Sequence, residues 1–536
     1  RRAAAPRRAR ARRDVASACG IFGIVTNEGV AAPEVYEALM MLQHRGQDAG
    51  GMVTYDGERF HEQKGKGLVS DVFKDKAEMA ELKGRIGIGH VRYPTAGSLH
   101  PKEAQPFFVN SPFGIWLIHN GNLTNTEELR VDLRRDTDNS YRRHMRTSSD
   151  TEVLLNVLAD SIHRSHKESG MSKSAVDLVF DGTKRLMRKV RGAYSVITTI
   201  DEVGLMAFRD PNGIRPLVLG KRQGINGTEY AFSSEDAAFG PLGFERVRDV
   251  APGEAVLVTL EGELVSRQLT PTSNVVPCIF EYIYLARPDS TLNGINVYNF
   301  QLACGRRLAD RVRERFDDID IVVPVPDGSR PSAIELSSAL GLPYREGLVK
   351  NRYVGRTFIM PSQRQRELSV RRKLNAMSAV FKDQNVLLVD DSIVRGTTMR
   401  QIVEMCKKAG AKKVYIASAS PPVVHPNVYG VDLPSRKEFI ANECKAAPVA
   451  DSDEFLDELA KTLSADGAIY QTLEDLKGAA HDCNPNVKNF DCSVFDGRYI
   501  TGDVCEEYLE DLETSGRGAK REASKKLEGN IAAAAV

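Results

Sequence analysis

The stretch V-L-L-V-D-D-S-I-V-R-G-T-T occupies residues 386–398. Four apolar residues run directly into two adjacent carboxylates. A small-residue loop then opens a helical pattern, T-M-R-Q-I-V-E-M-C-K-K-A-G. A wholly apolar run that ends in a polar loop and leads into a helix fits a strand buried on both faces of a parallel sheet. The segments I-D-I-V-V-P-V-P (319–326) and K-K-V-Y-I-A-S-A (412–419) are similar runs, the first also followed by a helix. This repetition predicts an α/β domain with a parallel sheet and helices on both faces, in which ligands bind beyond the carboxyl ends of the strands.

At that edge the chemistry is specific. Asp390 and Asp391 can bind sugar hydroxyls and, directly or through water, Mg2+. Ser392, Arg395, Gly396, Thr397 and Thr398 form a loop that ends at a helix start, where backbone N–H groups and the positive end of the helix can cradle a phosphate. Gly396 lets the backbone approach a ligand closely. A plain turn with a threonine N-cap would explain Thr397 or Thr398 but not the acidic pair. The glycine–lysine loop of nucleoside triphosphatases is absent as a pattern. Residues 350–374 carry eight Lys or Arg and one acidic residue. They read as a solvated basic loop, an RNA-binding arm, or a mobile lid for a polyanionic leaving group; aromatic residues are not interleaved as in a stacking platform for nucleic acid.

The 386–398 stretch resembles the phosphoribosyl pyrophosphate (PRPP) signature of the type I phosphoribosyltransferases. The resemblance implies that the acids hold the ribose hydroxyls, that the loop binds the 5′-phosphate, and that the P-V-P-D-G-S-R-P loop (324–331) meets pyrophosphate with Ser329 close to a metal. It also makes Lys350 and Arg352 the lead contacts of the basic lid, and Mg2+ the cofactor.

The earlier half carries a different chemistry. Cys19 opens the apolar run C-G-I-F-G-I-V, and a cysteine there is commonly a small core residue. Four polar clusters accompany it: Q-H-R-G-Q-D-A-G (43–50), H-V-R-Y-P-T (90–95), H-N-G-N-L (119–123) and S-S-D-T-E (148–152). Amide hydrolysis needs a nucleophile, a base, an oxyanion hole and recognition of an amino acid's charged ends. Arg92 can clamp an α-carboxylate, Asp150 can receive an α-ammonium, and Asn120 with the Gly121 N–H can stabilise an oxyanion. Each has a plainer reading: a hairpin turn at His119–Asn122, a surface ion pair at Arg92, a helix N-cap at Asp150, a loop anchor at Arg45. Together the clusters resemble the glutaminase domain of the class II amidotransferases, which are N-terminal-nucleophile hydrolases with an αββα sandwich. The resemblance implies Cys19, Asn120 and Gly121 as catalytic residues, and Arg92, Thr95, Asp150 and Arg45 as glutamine contacts. In that family the free α-amino group of the terminal cysteine is the base, so Cys19 is expected to become the first residue.

Composition sets the limits. Lys plus Arg number 73 against 72 Asp plus Glu, so no global field argues for nucleic acid or membrane. Eight cysteines in 536 residues, with no C-x-x-C, do not form a disulfide scaffold or favour a zinc ribbon. Residues 1–13 contain seven arginines and no acid, which suits a transit peptide or a basic arm. The expected divisions are a leader at 1–18, a glutaminase domain at 19–270, a linker at 271–277, a phosphoribosyltransferase domain at 278–512 and a disordered tail at 513–536.

A PRPP site behind a glutaminase resembles the glutamine-dependent PRPP amidotransferases, over about Cys19 to Asp511. This implies transfer of ammonia from glutamine to PRPP at the entry to purine synthesis. The alternative is a PRPP-binding regulator with an idle glutaminase half. One branch of the family carries a [4Fe–4S] cluster. Here the closest late cysteines are Cys483 and Cys492, and Asn427 stands where that branch places a ligand, so no iron–sulfur cluster is expected. The resemblance further implies a passage for ammonia, with Tyr93 and Tyr353 as candidate gates, inhibition by purine nucleotides, and a homo-oligomer (tetramer or dimer). No nucleic-acid or membrane partner is expected. The compartment is cytoplasmic, or a plastid or other organelle if the basic leader is a transit peptide.

Overall fold

A computed structural model describes residues 18–93, 101–134, 143–170, 172–271, 274–350, 374–433 and 435–514. Thr95, Arg352, Tyr353, most of the basic 350–374 stretch and nearly all of the leader lie outside the described residues.

The strands of the first half are β1 (Gly20–Val25), β2 (Ala49–Tyr55), β3 (Phe60–Lys66), β4 (Ile86–Arg92), β5 (Phe107–Val109), β6 (Ile115–Leu123), β7 (Gly192–Ile200), β8 (Gly204–Arg209), β9 (Val218–Gly224), β10 (Gly227–Ser233), β11 (Glu245–Asp249), β12 (Glu254–Thr259) and β13 (Leu264–Gln268). They form two antiparallel sheets, ordered β11-β9-β10-β1-β4-β2-β3 and β13-β12-β8-β7-β6-β5. The sheets face each other across a core that includes Ile21, Val25, Ile88, Ile118, Ile197 and Leu205. Helix Ala31–Met41 covers the outer face of the first sheet, through Val35 and Leu39 against Phe22 and Ile24. Helices Asp150–Glu168 and Ala175–Lys189 cover the second, where Val153, Leu154, Val157 and Leu158 join Leu117 and Val196. The layers are therefore αββα. They also explain why β1 is apolar throughout although its sheet is antiparallel: Ile21 and Val25 face the other sheet while Phe22 and Ile24 face a helix.

In the second half, the short hairpin β14 (Thr291–Leu292) and β15 (Ile295–Asn296) precedes β16 (Ile321–Pro324), β17 (Leu348–Lys350), β18 (Leu374–Ala376), β19 (Asn385–Asp390), β20 (Lys413–Ser418) and β21 (Gly467–Tyr470). Strands β16-β19-β20-β21 make the expected parallel sheet, in that order. In β19, Val386 and Leu388 enter the core on one face, and Leu387 and Val389 the core on the other. Strands β17 and β18 pair antiparallel and flank the basic stretch. Helix Glu506–Thr514 runs two residues past the expected boundary at 512.

The halves share one apolar core, in which Phe22 and Ile214 belong to the same cluster as Ile279, Val428, Tyr429 and Leu387. Backbone hydrogen bonds reinforce it, from Val276 N to Asn212 O at 2.8 Å and from Cys278 N to Ile214 O at 3.1 Å. Among the described residues, no helix is long and apolar enough to cross a membrane.

Candidate active sites

Cys19 sits one residue before β1, and the register that pairs Gly20 with Val91 carries on towards Arg92. Its Sγ donates to the Tyr93 carbonyl at 3.5 Å, and the residue is buried. Burial pushes the thiol up from its ordinary pKa, while Arg92 and Arg215 pull it down and Asp150 pushes it up. Two of the expected charged contacts, Arg92 and Asp150, are thus close enough to act on the Cys19 thiol. A thiol held up in this way is protonated at neutral pH and needs a base during attack.

Arg92 and Asp150 are each fixed from behind. Arg92 is buried at the end of β4, and its Nη2 donates to Glu103 Oε2 at 3.1 Å. Glu103 Oε1 in turn accepts from Ser148 Oγ at 2.7 Å, just before helix Asp150–Glu168. Asp150 is the first residue of that helix; the N-cap is Ser149, whose Oγ accepts from Thr151 N at 3.3 Å. Asp150 Oδ2 accepts from Leu123 N at 3.2 Å, which ties it to β6.

Asn120 and Gly121 lie inside β6, paired with Ser195 and Tyr194 of β7, so His119–Asn122 is strand and not the hairpin that the composition also allowed. The reason is tertiary: every residue of β6 is buried between neighbouring layers. Gly121 has φ +148°, and a Cβ there would stand 2.0 Å from the Ala193 carbonyl oxygen. The second half also reaches this strand. Asn122 Nδ2 donates to Val428 O at 2.8 Å, and Gly430 lies against the Gly121 backbone.

Arg45, expected among the glutamine contacts, is engaged by groups of the protein itself. It is buried, and its Nε donates to the Cys19 carbonyl at 2.9 Å. One Nη bonds Glu235, and the other bonds Glu281 at 2.8 and 3.0 Å. Arg215 pairs with Glu281 at 2.5 Å, and His44 pairs with Glu235 at 2.8 Å. Burial pushes the Glu235 carboxyl up, but His44 and Arg45 outweigh it and hold the group well below the usual carboxylate range. Glu281 belongs to the second half, so that half helps, through Arg45, to seat Cys19 of the first. Removing one partner leaves buried charge uncompensated: Glu281→Leu is expected to cost about 3–5 kcal/mol. Denaturant unfolding read by Trp116, the single tryptophan, which is buried between the two sheets, checks this.

At the carboxyl edge of the parallel sheet, β16 and β19 are neighbours, with Pro324 paired to Val389. The loops that follow them therefore meet: a Cβ on Gly328 would stand 2.1 Å from Asp391 Oδ2. Asp391 Oδ1 accepts from Ser392 Oγ at 2.9 Å, and Asp390 Oδ1 accepts from Asp391 N at 3.0 Å. Burial pushes both carboxyls up, with Asp391 adding to the shift at Asp390; Asp391 is raised to about 7. Gly396 takes φ +68° at the N-cap position of helix Thr397–Lys408, a conformation that favours glycine. The phosphate-type loop and helix start are thus in place, with Thr397 and Thr398 as the first helical residues. Three expected contacts engage other groups here. Ser329 is buried and donates to Val325 O at 2.7 Å, Arg395 pairs with Glu438 at 2.8 Å, and Lys350 pairs with Asp327 at 2.6 Å.

These two centres lie in one chain, and the comparisons with known proteins follow the same division. Residues 90–241 match the glutamine amidotransferase domain, and residues 296–420 match the phosphoribosyl transferase domain. The amidophosphoribosyltransferase of Pasteurella multocida is 52% identical over 500 residues, 92% of this chain and 95% of that protein. The chain belongs to the amidophosphoribosyltransferase family. The Escherichia coli amidophosphoribosyltransferase is 51% identical over 502 residues, 92% of this chain and 95% of that one. A solved structure of glutamine PRPP amidotransferase from B. subtilis, complexed with ADP and GMP, has a TM-score of 0.77 at 36% identity. It covers 92% of this chain and 100% of its own. The function is that of an amidophosphoribosyltransferase: nitrogen passes from glutamine to PRPP in the first step of purine synthesis.

Glu103, Arg215, Glu235 and Glu281 are absent from the sequence-based site. A faint signal exists for two of them. Glu281 is a lone charge in C-I-F-E-Y-I-Y, and Arg215 stands between Ile214 and Pro216-Leu217. An isolated charge in an apolar run points to a buried partner. Nothing local identifies the partner, because Arg45 and Glu281 are 236 positions apart.

Proposed function

We propose that Cys19, Asn120 and Gly121 carry the glutaminase step and that Asp390, Asp391 and the loop 392–398 carry phosphoribosyl transfer. The observation that supports the first assignment is the buried cysteine at the head of β1, with Arg92 and Asp150 acting on its thiol and Arg45 seating its carbonyl. Arg92 takes the α-carboxylate of glutamine and Asp150 its α-ammonium. Thr95 is proposed as a further glutamine contact.

Cys19 Sγ attacks the carboxamide carbon while its proton passes to the Cys19 α-amino group. That group has an ordinary pKa of about 7.7–8.0, so much of it is neutral near physiological pH. Asn120 and the Gly121 N–H receive the oxyanion. The proton is returned to the leaving nitrogen, ammonia departs, and water hydrolyses the thioester to glutamate. This route needs the Ala18–Cys19 peptide bond to be cut. Intact mass of the mature protein tests it: a chain that begins at Cys19 is expected, and a glutamine-active chain that retains Ala18 would overturn the proposed base.

Ammonia must reach C1 of PRPP unprotonated, because ammonium has no lone pair. The apolar core shared by the halves supports a dry route between them. At the second centre, Asp390 and Asp391 are proposed to hold the ribose hydroxyls, and Ser392, Arg395, Gly396, Thr397 and Thr398 the 5′-phosphate. Lys350, Arg352 and the basic stretch receive pyrophosphate, so that Lys350 and Arg395 exchange their present acidic partners for the ligand. Mg2+ fits this pair: two adjacent carboxylates with raised pKa, Asp391 buried and Asp390 half-buried, are poorly compensated as they stand, and a divalent cation would compensate them. Asp390 and Asp391, with Ser329 nearby, would hold it, and bound Mg2+ would neutralise charge on the pyrophosphate. Among the described residues, no group of three or more His, Cys, Asp or Glu is arranged for a metal.

Purine nucleotides as inhibitors and a homo-oligomeric state belong to the proposal. The nucleotide-bound B. subtilis relative supports the former. Gly121→Ala tests the oxyanion strand. It is expected to lower glutamine-dependent turnover by about 10²-fold or more while ammonia-dependent turnover persists, measured as pyrophosphate release with each nitrogen source.

A further inference from the structure

Ser234 stands one residue beyond β10, opposite Ile21 of β1. Its N donates to Ile21 O at 3.0 Å, and its Oγ accepts from Ile21 N at 3.1 Å. The same Oγ lies 3.4 Å from Asn120 Nδ2. Both side chains are fully buried. A serine hydroxyl that accepts from a backbone N–H retains one proton to donate. Asn120 Oδ1 is buried and has no hydrogen-bond partner among the described residues. With Nδ2 turned to the serine, the carboxamide offers its acceptor to the opposite side, the wrong polarity for an oxyanion.

The two ends of a carboxamide are nearly identical in shape, and its hydrogen-bond network decides which way it points. We propose that Ser234 sets the polarity of the oxyanion hole: its hydroxyl donates to Asn120 Oδ1 and thereby turns Asn120 Nδ2 away from the serine, towards the carbonyl under attack. Both unmatched groups, the buried acceptor and the serine proton, are then paired. The adjacent Glu235 bonds Arg45, which bonds the Cys19 carbonyl. One turn, residues 233–235, therefore fixes both the nucleophile strand and the oxyanion donor. Ser234 is a positioning residue that acts through Asn120, and the inference rests on the proposed oxyanion role of Asn120.

Ser234→Ala is expected to lower glutamine-dependent kcat about 10–100-fold, with the KM for glutamine moved less than about twofold and ammonia-dependent turnover unchanged. Ammonia-dependent turnover also reports that the chain is folded. Ser234→Cys, which keeps a weaker donor, is expected to fall between wild type and alanine, and serves if alanine disturbs the strand. A double-mutant cycle gives the sharper reading: Ser234→Ala combined with Asn120→Ala is expected to be no slower than Asn120→Ala alone. Multiplicative losses in the double variant, or equal loss with both nitrogen sources, would overturn the inference. An impaired Asn120→Ala beside an unimpaired Ser234→Ala removes the inference alone. An Asn120→Ala variant with full glutamine turnover removes the oxyanion role and the inference with it.

Discussion

Cys19→Ala is expected to abolish glutamine-dependent phosphoribosylamine formation, by about 10⁴-fold or more, while ammonia-dependent formation is retained. The magnitude follows from the place proposed for Cys19 in the reaction: without Sγ no thioester forms, and the proposed oxyanion donors have no tetrahedral intermediate to stabilise. The retention follows from where the residue sits. Cys19 belongs to the first half, and its substitution removes one small buried side chain while the β1 register with β4 and β10 is kept. Pyrophosphate release measured with glutamine and then with ammonium salts at a pH that supplies free ammonia separates the two. Equal loss with both sources would end the division of labour between the halves.

Asp390→Asn combined with Asp391→Asn is expected to remove turnover with either nitrogen source, by about 10³-fold or more, because both routes share the ribose and metal contacts proposed for this pair. The same change is expected to stabilise the unliganded protein at neutral pH. The sign follows from linkage. Burial raises both carboxyl pKa values in the fold, Asp391 to about 7, so between the unfolded value near 3.9 and about 7 the folded state binds more protons. Stability of the parent chain therefore falls as pH rises through that window, and the asparagines remove the loss. Denaturant unfolding at pH 4.5 and pH 8 is expected to show the variant ahead by a few kcal/mol only at the higher pH. A variant no more stable than the parent at pH 8 would show that the paired charges carry no cost. Lost activity together with gained stability would mark a site held ready for a cation and a sugar.

The second half was largely legible because its signals are local. In 386–398 the apolar run, the acids and the loop follow one another in the chain, and the strand, sheet edge and helix start appear in that order. Strand β1 and the helix at 150 were legible for the same reason. Strands β2, β3, β5, β10, β11 and β13 were not anticipated. The alternation in β3 (F-H-E-Q-K-G-K) is weak, and its place at the sheet edge is set by pairing with β2. Arg45, Arg395 and Lys350 are each basic in a motif that invites an anionic ligand, yet each is paired with an acid: Glu235 and Glu281, Glu438, and Asp327. Two of these partners lie more than a hundred positions away, beyond the reach of any local pattern.

The sequence by itself determined which two chemistries to expect, because each is announced by short local stretches: a cysteine at the head of a strand with four polar clusters after it, and two acids at the end of another strand with a glycine and threonines at a helix start. Only the tertiary structure decided how the halves cooperate. Glu281 from the second half neutralises Arg45 and Arg215 of the first, and Gly430 packs on Gly121. A buried charge is tolerated only beside its counter-charge, and a backbone approaches another that closely only where neither carries a side chain. Both conditions are met by folding the chain back on itself, and neither is written in any one stretch of it.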